Sequence, residues 1–389
     1  LDASFTPLRV SNDPGADVLM VDSIRDELLR VKAATGELVW RLAADRPILT
    51  AVIEDGKLFV GFGDDASGAL AHINPETGEL LGGAEFATGL AAAPVFDDEL
   101  NVMAQVGSHS SIYLLDQNQW TCQGVHYLGH AEGTIAVPPL AMKQQLVIAE
   151  NPGPDFSLLH VLEHDPENPG VLRRVVDPIR LGGRVMVEMQ PLGNGRILVL
   201  TDRGNIHVYK LDPANAVERV QEVASFSNAV PPGTLAFPYF DQSVLWVGDT
   251  QLSKFELQTL RNSLARKWFR YRGDVFTAPI HRIGDVLFTV RKEDGRAGSR
   301  VTAHRIDSRN DGQKDGEEIW STDLGVPAAG KPFVDNVAKE IRVVSSNASL
   351  YALNGAAIRD GIIDTPKDQV VSGQLPSVRE SLPLSNNQW

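Results

Sequence analysis

Four carboxylates in the segment DSRNDGQKDGEE, Asp307, Asp311, Asp315 and Glu318, take the first, fifth, ninth and twelfth positions of a calcium-loop template, with Gly312 at the sixth. Oxygen donors in that spacing suit a hard cation. Arg309, however, stands at the third position, where a ligand oxygen belongs, and strand-like segments flank the loop in place of helices. The segment therefore reads first as an acidic, glycine-bearing hairpin between outer strands and second as a calcium site. Calcium is not supported by a complete motif. His72, His160, His207 and His304 occupy recurring strand segments, but their distances to the following turn differ in parity, which puts them on opposite strand faces and argues against a shared metal. His126 and His130 form an H-x-x-x-H pair in HYLGH, where Gly129 and a β context remove the helical spacing that such a pair needs. Cys122 is the one cysteine, so neither an intramolecular disulfide nor a Cys-pair metal site is available, and a small buried apolar side chain is expected there. No P-loop, no G-x-S-x-G elbow and no H-E-x-x-H occurs, so nucleotide and hydrolase chemistry have no motif. No catalytic residue is assigned.

The elements that would position these side chains are strands, and they repeat. ELLRVKAATG from Glu27, ALAHINPETG from Ala69, SIYLLDQNQW from Ser111, LLHVLEHDPE from Leu158, NIHVYKLDPA from Asn205, QLSKFELQTL from Gln251, RVTAHRIDSR from Arg300 and SLYALNGAAI from Ser349 are copies of one segment. Their turn-opening residues, Lys32, Asn74, Asp116, His164, Asp212, Gln258, Asp307 and Asn354, fall 42 to 49 residues apart by subtraction. That period is the mark of propeller blades. Within a copy, Pro94, Pro139, Pro191, Pro238, Pro279 and Pro332 sit near the start of a first strand, where no ladder donor is required. A second strand follows a tight turn, as in DGKLFVGFG and NGRILVLTD; the quoted segment is the third; a fourth ends in GELVW, ARKWF or EEIW. The expected fold is all-β, a single β-propeller of about eight four-stranded antiparallel blades over residues 1–363, with seven blades as the alternative. Residues from Phe5 to Val21 are expected to complete the last blade from the opposite terminus. Residues 364–389, rich in Pro, Ser, Gln and Asn, read as a C-terminal tail or linker.

Composition bounds the partners. With 43% hydrophobic and 22% charged residues the chain can bury a large interior, and its net charge of -14 repels phosphate backbones and anionic lipid, which argues against nucleic acid. A local basic patch, Arg266, Lys267, Arg270 and Arg272, reads as a solvated strand edge whose charge blocks unwanted pairing. Apolar runs such as Leu146 to Ala149 are far too short to cross a bilayer, so no membrane-spanning segment is expected. The chain opens on Leu1 and not on Met, which reads as a processed or excised piece, with any signal peptide or anchor outside it.

LRVKAATGELVW from Leu29 to Trp40 and, in part, LAHINPETGELL from Leu70 to Leu81 resemble the quinoprotein-type, PQQ-like repeat. That family includes quinone-dependent dehydrogenases and the non-enzymatic scaffold subunit of the bacterial outer-membrane β-barrel assembly machinery. The resemblance runs from about Asp17 to about Gly355, and its first copy is the closest, with Thr35, Gly36 and Trp40 in place. In the residues themselves, Gly36 and Gly78 suit a turn of positive backbone angle, Thr35 and Thr77 can bond the turn, and Trp40 can cover an inter-blade seam. The enzymes of the family hold their quinone between a tryptophan and a disulfide of adjacent cysteines and use calcium. One cysteine cannot supply that clamp, so no PQQ and no other cofactor is expected, and the resemblance leans toward the non-catalytic branch. The expectation is a monomeric scaffold or recognition propeller that binds protein partners, periplasmic or otherwise extracytoplasmic, with a cytoplasmic location still open. A PQQ-dependent dehydrogenase and a sensor domain of a kinase or transporter are the alternatives.

Overall fold

The computed structural model describes residues 5–9, 17–22, 24–32, 35–129, 131–215, 217–258, 261–283, 286–296, 298–306, 315–335, 340–345, 349–354 and 379–380. Apolar runs alternate with tight turns whose corners need positive φ, supplied for instance by Asp55-Gly56 and Asn194-Gly195. The described strands accordingly form eight antiparallel sheets and no α-helix. Blade 1 runs from Phe5–Arg9 to Leu38–Ala43, blade 2 from Ile48–Glu54 to Leu80–Phe86, blade 3 from Val95–Asp97 to Cys122–Tyr127 and blade 4 from Leu140–Met142 to Ile179–Gly182. Blade 5 runs from Gln190–Gly193 to Val220–Ser227, blade 6 from Phe237–Asp241 to Ser263–Arg270, blade 7 from Val275–Phe276 to Glu318–Leu324 and blade 8 from Ala328–Asp335 to Arg379–Glu380. Six sheets have four strands and two have five; in those two, blades 4 and 7, one strand position is broken into two pieces that share a partner. The strand expected to cross from the N-terminus into the last blade stays at home. Phe5–Arg9 pairs with Val18–Asp22 inside blade 1, and Arg379–Glu380 pairs with Ser349 and Leu350 as the fourth strand of blade 8.

First strands lie side by side from blade 7 through blades 8 and 1 to blade 2, and from blade 3 through blade 4 to blade 5; apolar clusters join the remaining neighbours, so the ring closes. Second and third strands are buried almost throughout, while fourth strands alternate with exposed positions and form the rim. Because side chains alternate across a strand, each blade feeds two cores. Leu58 and Val60 pack with Leu19 and Leu28 of blade 1, whereas Phe59 packs with Met103 and Leu115 of blade 3. Every seam from blades 1 and 2 to blades 7 and 8 holds such a cluster. A single blade has no other way to cover its faces.

The Thr-Gly and Trp positions work across a seam. Thr77 accepts the Glu79 N–H at 3.3 Å, and Gly78 takes φ 77°, closing the third-to-fourth strand turn of blade 2. Trp40 of blade 1 lies on that turn, its indole N–H donating to the Pro75 carbonyl at 2.9 Å and its ring 3.0 Å from where a Gly78 Cβ would stand. A bulge aims the ring. In six of the blades the fourth strand slips by one residue at the same place, leaving Val39, Leu81, Gln123, Val223, Lys267 and Ile319 unpaired, and Trp40, Trp268 and Trp320 each follow that residue directly. Where blade 2 has Gly82 in place of the tryptophan, Trp120 from the turn of blade 3 fills the gap from the other side. Gly78→Ala meets both the left-handed backbone and the Trp40 ring. It is expected to lower stability by about 1–3 kcal/mol in urea titration.

Candidate functional site

The seam between blades 6 and 7 departs from the apolar pattern. Blade 7 turns three cross-strand rungs toward blade 6: Arg291 opposite Arg300, Thr289 opposite Thr302, and Leu287 opposite His304. Two guanidinium groups set opposite each other repel, and carboxylates offset this. Glu293 Oε1 accepts from Arg291 Nη1 at 3.0 Å and pairs with Arg300 Nη1 at the same distance, and Glu318 lies 3.9 Å from each. Asp274, on the connection from blade 6, pairs with Arg291, and Asp323 lies 3.5 Å from Arg300. The Arg291 guanidinium rests 3.9 Å over the Tyr271 ring, whose hydroxyl donates to Glu318 at 2.7 Å. Burial and the Glu318 charge push the Tyr271 phenol well above its usual range, so it stays a donor. Burial acts to raise Glu318, but bonds from Ser321 and Tyr271 and the charge of Arg300 outweigh it and hold the carboxyl below its ordinary range. A cavity of about 240 Å³, lined by Glu293, Arg296, Gly298, Ser299, Arg300 and Asp323, opens beside this cage.

His304, wholly buried in the same seam, bonds Thr289 through Nε2 at 3.1 Å. Burial depresses its pKa to about 3, Glu318 opposes the shift, and Arg291 and Arg270 add to it. The folded chain thus refuses a proton that the unfolded chain accepts below its ordinary value of 6.5. The stability that His304 contributes is complete above pH 6.5 and falls by up to about 1.4 kcal/mol per pH unit as the pH drops toward 3. His304→Gln is expected to flatten the dependence of the unfolding midpoint between pH 6.5 and 5, above the range where Glu318 titrates.

Of the acidic loop picked out in the sequence, Asp315 accepts from Lys254 Nζ at 2.5 Å and from Trp268 Nε1 at 2.9 Å, both on blade 6. Glu318 belongs to the cage, and Asp307 and Asp311 lie outside the described residues. Asp315 and Gly316 thus repeat on blade 7 the role of Pro75 and Gly78 on blade 2, with Trp268 as the docked ring. The four strand histidines sit in separate blades: His72 stacks on Phe59, His160 bonds Glu150, His207 bonds Glu222, and His304 bonds Thr289. His126 is half-buried with its pKa lowered, mainly by burial, and His130 lies outside the described residues. Cys122 corrects an expectation: it is exposed, because the fourth strand of blade 3 faces solvent on the rim.

Ser110, Thr134, Glu150 and His160 form a buried polar chain in the blade 3/4 seam that sequence spacing does not disclose, because its members come from four separate segments. Ser110 Oγ lies 2.5 Å from Thr134 Oγ1, and Glu150 Oε2 lies 2.9 Å from His160 Nε2. The Ser110 hydroxyl donates to the Ala131 carbonyl at 2.6 Å, and glutamate, not imidazole, stands next to the hydroxyls. This arrangement ties loops together; it does not make an activated nucleophile.

Arg266, Lys267 and Arg270 lie on the outer strand of blade 6, Ser263–Arg270, which among the described residues pairs only on its inner side, and Arg272 lies in the turn after it. Arg266, Lys267, Phe269, Arg270 and Arg272 are exposed. Arg266 lies 5.3 Å from the Phe226 ring of blade 5 and 5.1 Å from Phe269, and Arg270 lies 5.5 Å over Trp268. Lys267 pairs with Glu256; among the described residues Arg266, Arg270 and Arg272 have no carboxylate partner.

The ring and its period define a β-propeller, and its Thr-Gly turn under Trp40 resembles the PQQ-like repeat. The family model described as outer membrane protein assembly factor BamB matches residues 14–151, and the chain resembles BamB. The crystal structure of BamB from Moraxella catarrhalis superposes with a TM-score of 0.58 at 15% identity, covering 90% of this chain and 94% of that one. The computationally designed Ika8 protein superposes with a TM-score of 0.64 at 11% identity, covering 90% and 96%. No curated protein sequence matches the chain. A quinone clamp of the dehydrogenase kind does not fit these residues: Cys122 is on the rim, and Trp40, Trp120, Trp246, Trp268 and Trp320 are packed in the seams.

Proposed function

We propose that the chain is a protein-binding scaffold, a rigid ring of the bacterial cell envelope or one domain of a larger envelope protein, that performs no chemistry of its own and needs neither quinone nor metal. The observation that carries this reading is the disposition of reactive side chains. Asp315, Glu318, His304, Glu150 and His160 are tied to one another or to neighbouring blades inside the seams, while the rim offers arginines and aromatic rings. Residues of that kind contribute most at protein interfaces. The end-to-end likeness to BamB supports a scaffold over an enzyme, and an extracytoplasmic place over the cytoplasm. The test is a photo-crosslinking amino acid placed in the source cell at the exposed rim positions Val39, Leu80, Tyr127 and Phe269. A discrete protein adduct in the envelope fraction is expected from at least one position. Absence of adducts from all four would overturn the reading.

A further inference from the structure

We infer that the outer edge of blade 6 is the docking surface for an acidic, extended segment of a partner protein. This rests on the scaffold reading and adds to it a place and a chemistry. A chain of net charge -14 concentrates Arg266, Lys267, Arg270 and Arg272 on one strand and the turn after it. Arg266, with Phe226 and Phe269, lies on the side facing blade 5, while Trp268 and Arg270 face blade 7, where the strand meets Asp315. Stacking on rings fixes the guanidinium planes; the Arg266 fork faces outward for a carboxylate, while Arg270 donates one N–H to the Asp315 carbonyl at 3.4 Å and keeps its other donors. On an extended strand interrupted by one bulge, Arg266 and Arg270 are separated by roughly 10–13 Å, the reach of a few residues of an extended ligand. Phe269, 46% exposed, adds an apolar contact beside Arg266.

The width of the basic edge selects the occupant. It is one strand wide, with exposed Glu222 on the rim of blade 5 and exposed Glu317 and Asp323 on blade 7. A flat anionic bilayer would meet those carboxylates together with the arginines, whereas a single acidic segment lies between them. The bulge at Lys267 breaks the open ladder, so side-chain charge, and not continued strand pairing, supplies the contact.

The test is fluorescence anisotropy of a short labelled peptide of alternating glutamate and valine, titrated with the purified chain, alongside pelleting with phosphatidylserine vesicles. Binding that weakens on the order of tenfold in Arg266→Glu, and similarly in Arg272→Glu, is expected, the loss of one charge-assisted contact each. Among the described residues Arg272 has no ring beneath it, so its variant keeps the test valid if Arg266→Glu unseats the strand. Arg203→Glu, an equal charge change on an exposed loop of blade 5, is expected to bind like the parent. Equal weakening by Arg203→Glu, no binding of the peptide, or binding of vesicles in its place would overturn the inference. Failure here with rim adducts still formed in cells would remove this surface and leave the scaffold reading standing.

Discussion

Arg291→Met is expected to destabilise the ring by about 3–5 kcal/mol, measured as a shift of the urea midpoint at neutral pH. The Arg291 side chain is 3% exposed and shares Glu293 and Glu318 with Arg300 while pairing with Asp274. Removing it leaves four carboxylates, Asp274, Glu293, Glu318 and Asp323, around one remaining guanidinium, with Asp274 and Glu293 no more than 20% exposed. The penalty comes from charges stranded in that seam more than from the lost bonds, so replacing cage members together should cost less than the sum of single changes. Arg291→Met with Glu318→Gln is therefore expected to be less destabilised than additivity requires. A single variant within 1 kcal/mol of the parent, roughly the value of an exposed pair, would show that the cage is solvated and loose.

Trp40→Ala is expected to cost a similar about 3–5 kcal/mol, because the ring is nearly buried and the blade 2 turn cannot follow it into the gap. Trp40→Phe keeps most of the packing and loses the bond to the Pro75 carbonyl, for a cost of about 1 kcal/mol beyond any change in fit. The pairing of Trp40 with Gly78 adds a second signature. In the Trp40→Ala background the Gly78→Ala clash disappears while its left-handed backbone remains, so the second change should cost less than it does in the parent chain. Full additivity would mean that ring and turn do not touch.

Local rules made the blade visible in the sequence. Thr77 and Gly78 mark a turn because hydroxyl bonding and positive φ are properties of those residues, and the prolines mark first strands because proline has no N–H. In blade 4 the turn opens one residue later than the repeat spacing places it at His164. His164 ends its strand, and Asp165 opens the turn by accepting the N–H groups of Glu167 and Asn168. The ion cage was not legible, since Asp274, Arg291, Arg300 and Glu318 meet only when two blades stack and no fixed spacing records that. Asp315 was legible as an acid in a glycine-bearing turn, but its partners Lys254 and Trp268 lie on the preceding blade. The exposure of Cys122 was not legible, since residue type favours burial while its place on a rim strand decides otherwise.

A reading in which the ring holds partners and leaves chemistry to others meets its most direct test in one cuvette. Purified protein is titrated with pyrroloquinoline quinone and calcium while heat and reduction of an artificial electron acceptor with alcohol substrates are followed. Neither saturable heat nor acceptor reduction is expected. Saturable binding of the quinone accompanied by acceptor turnover would contradict the account and place this propeller among the dehydrogenases.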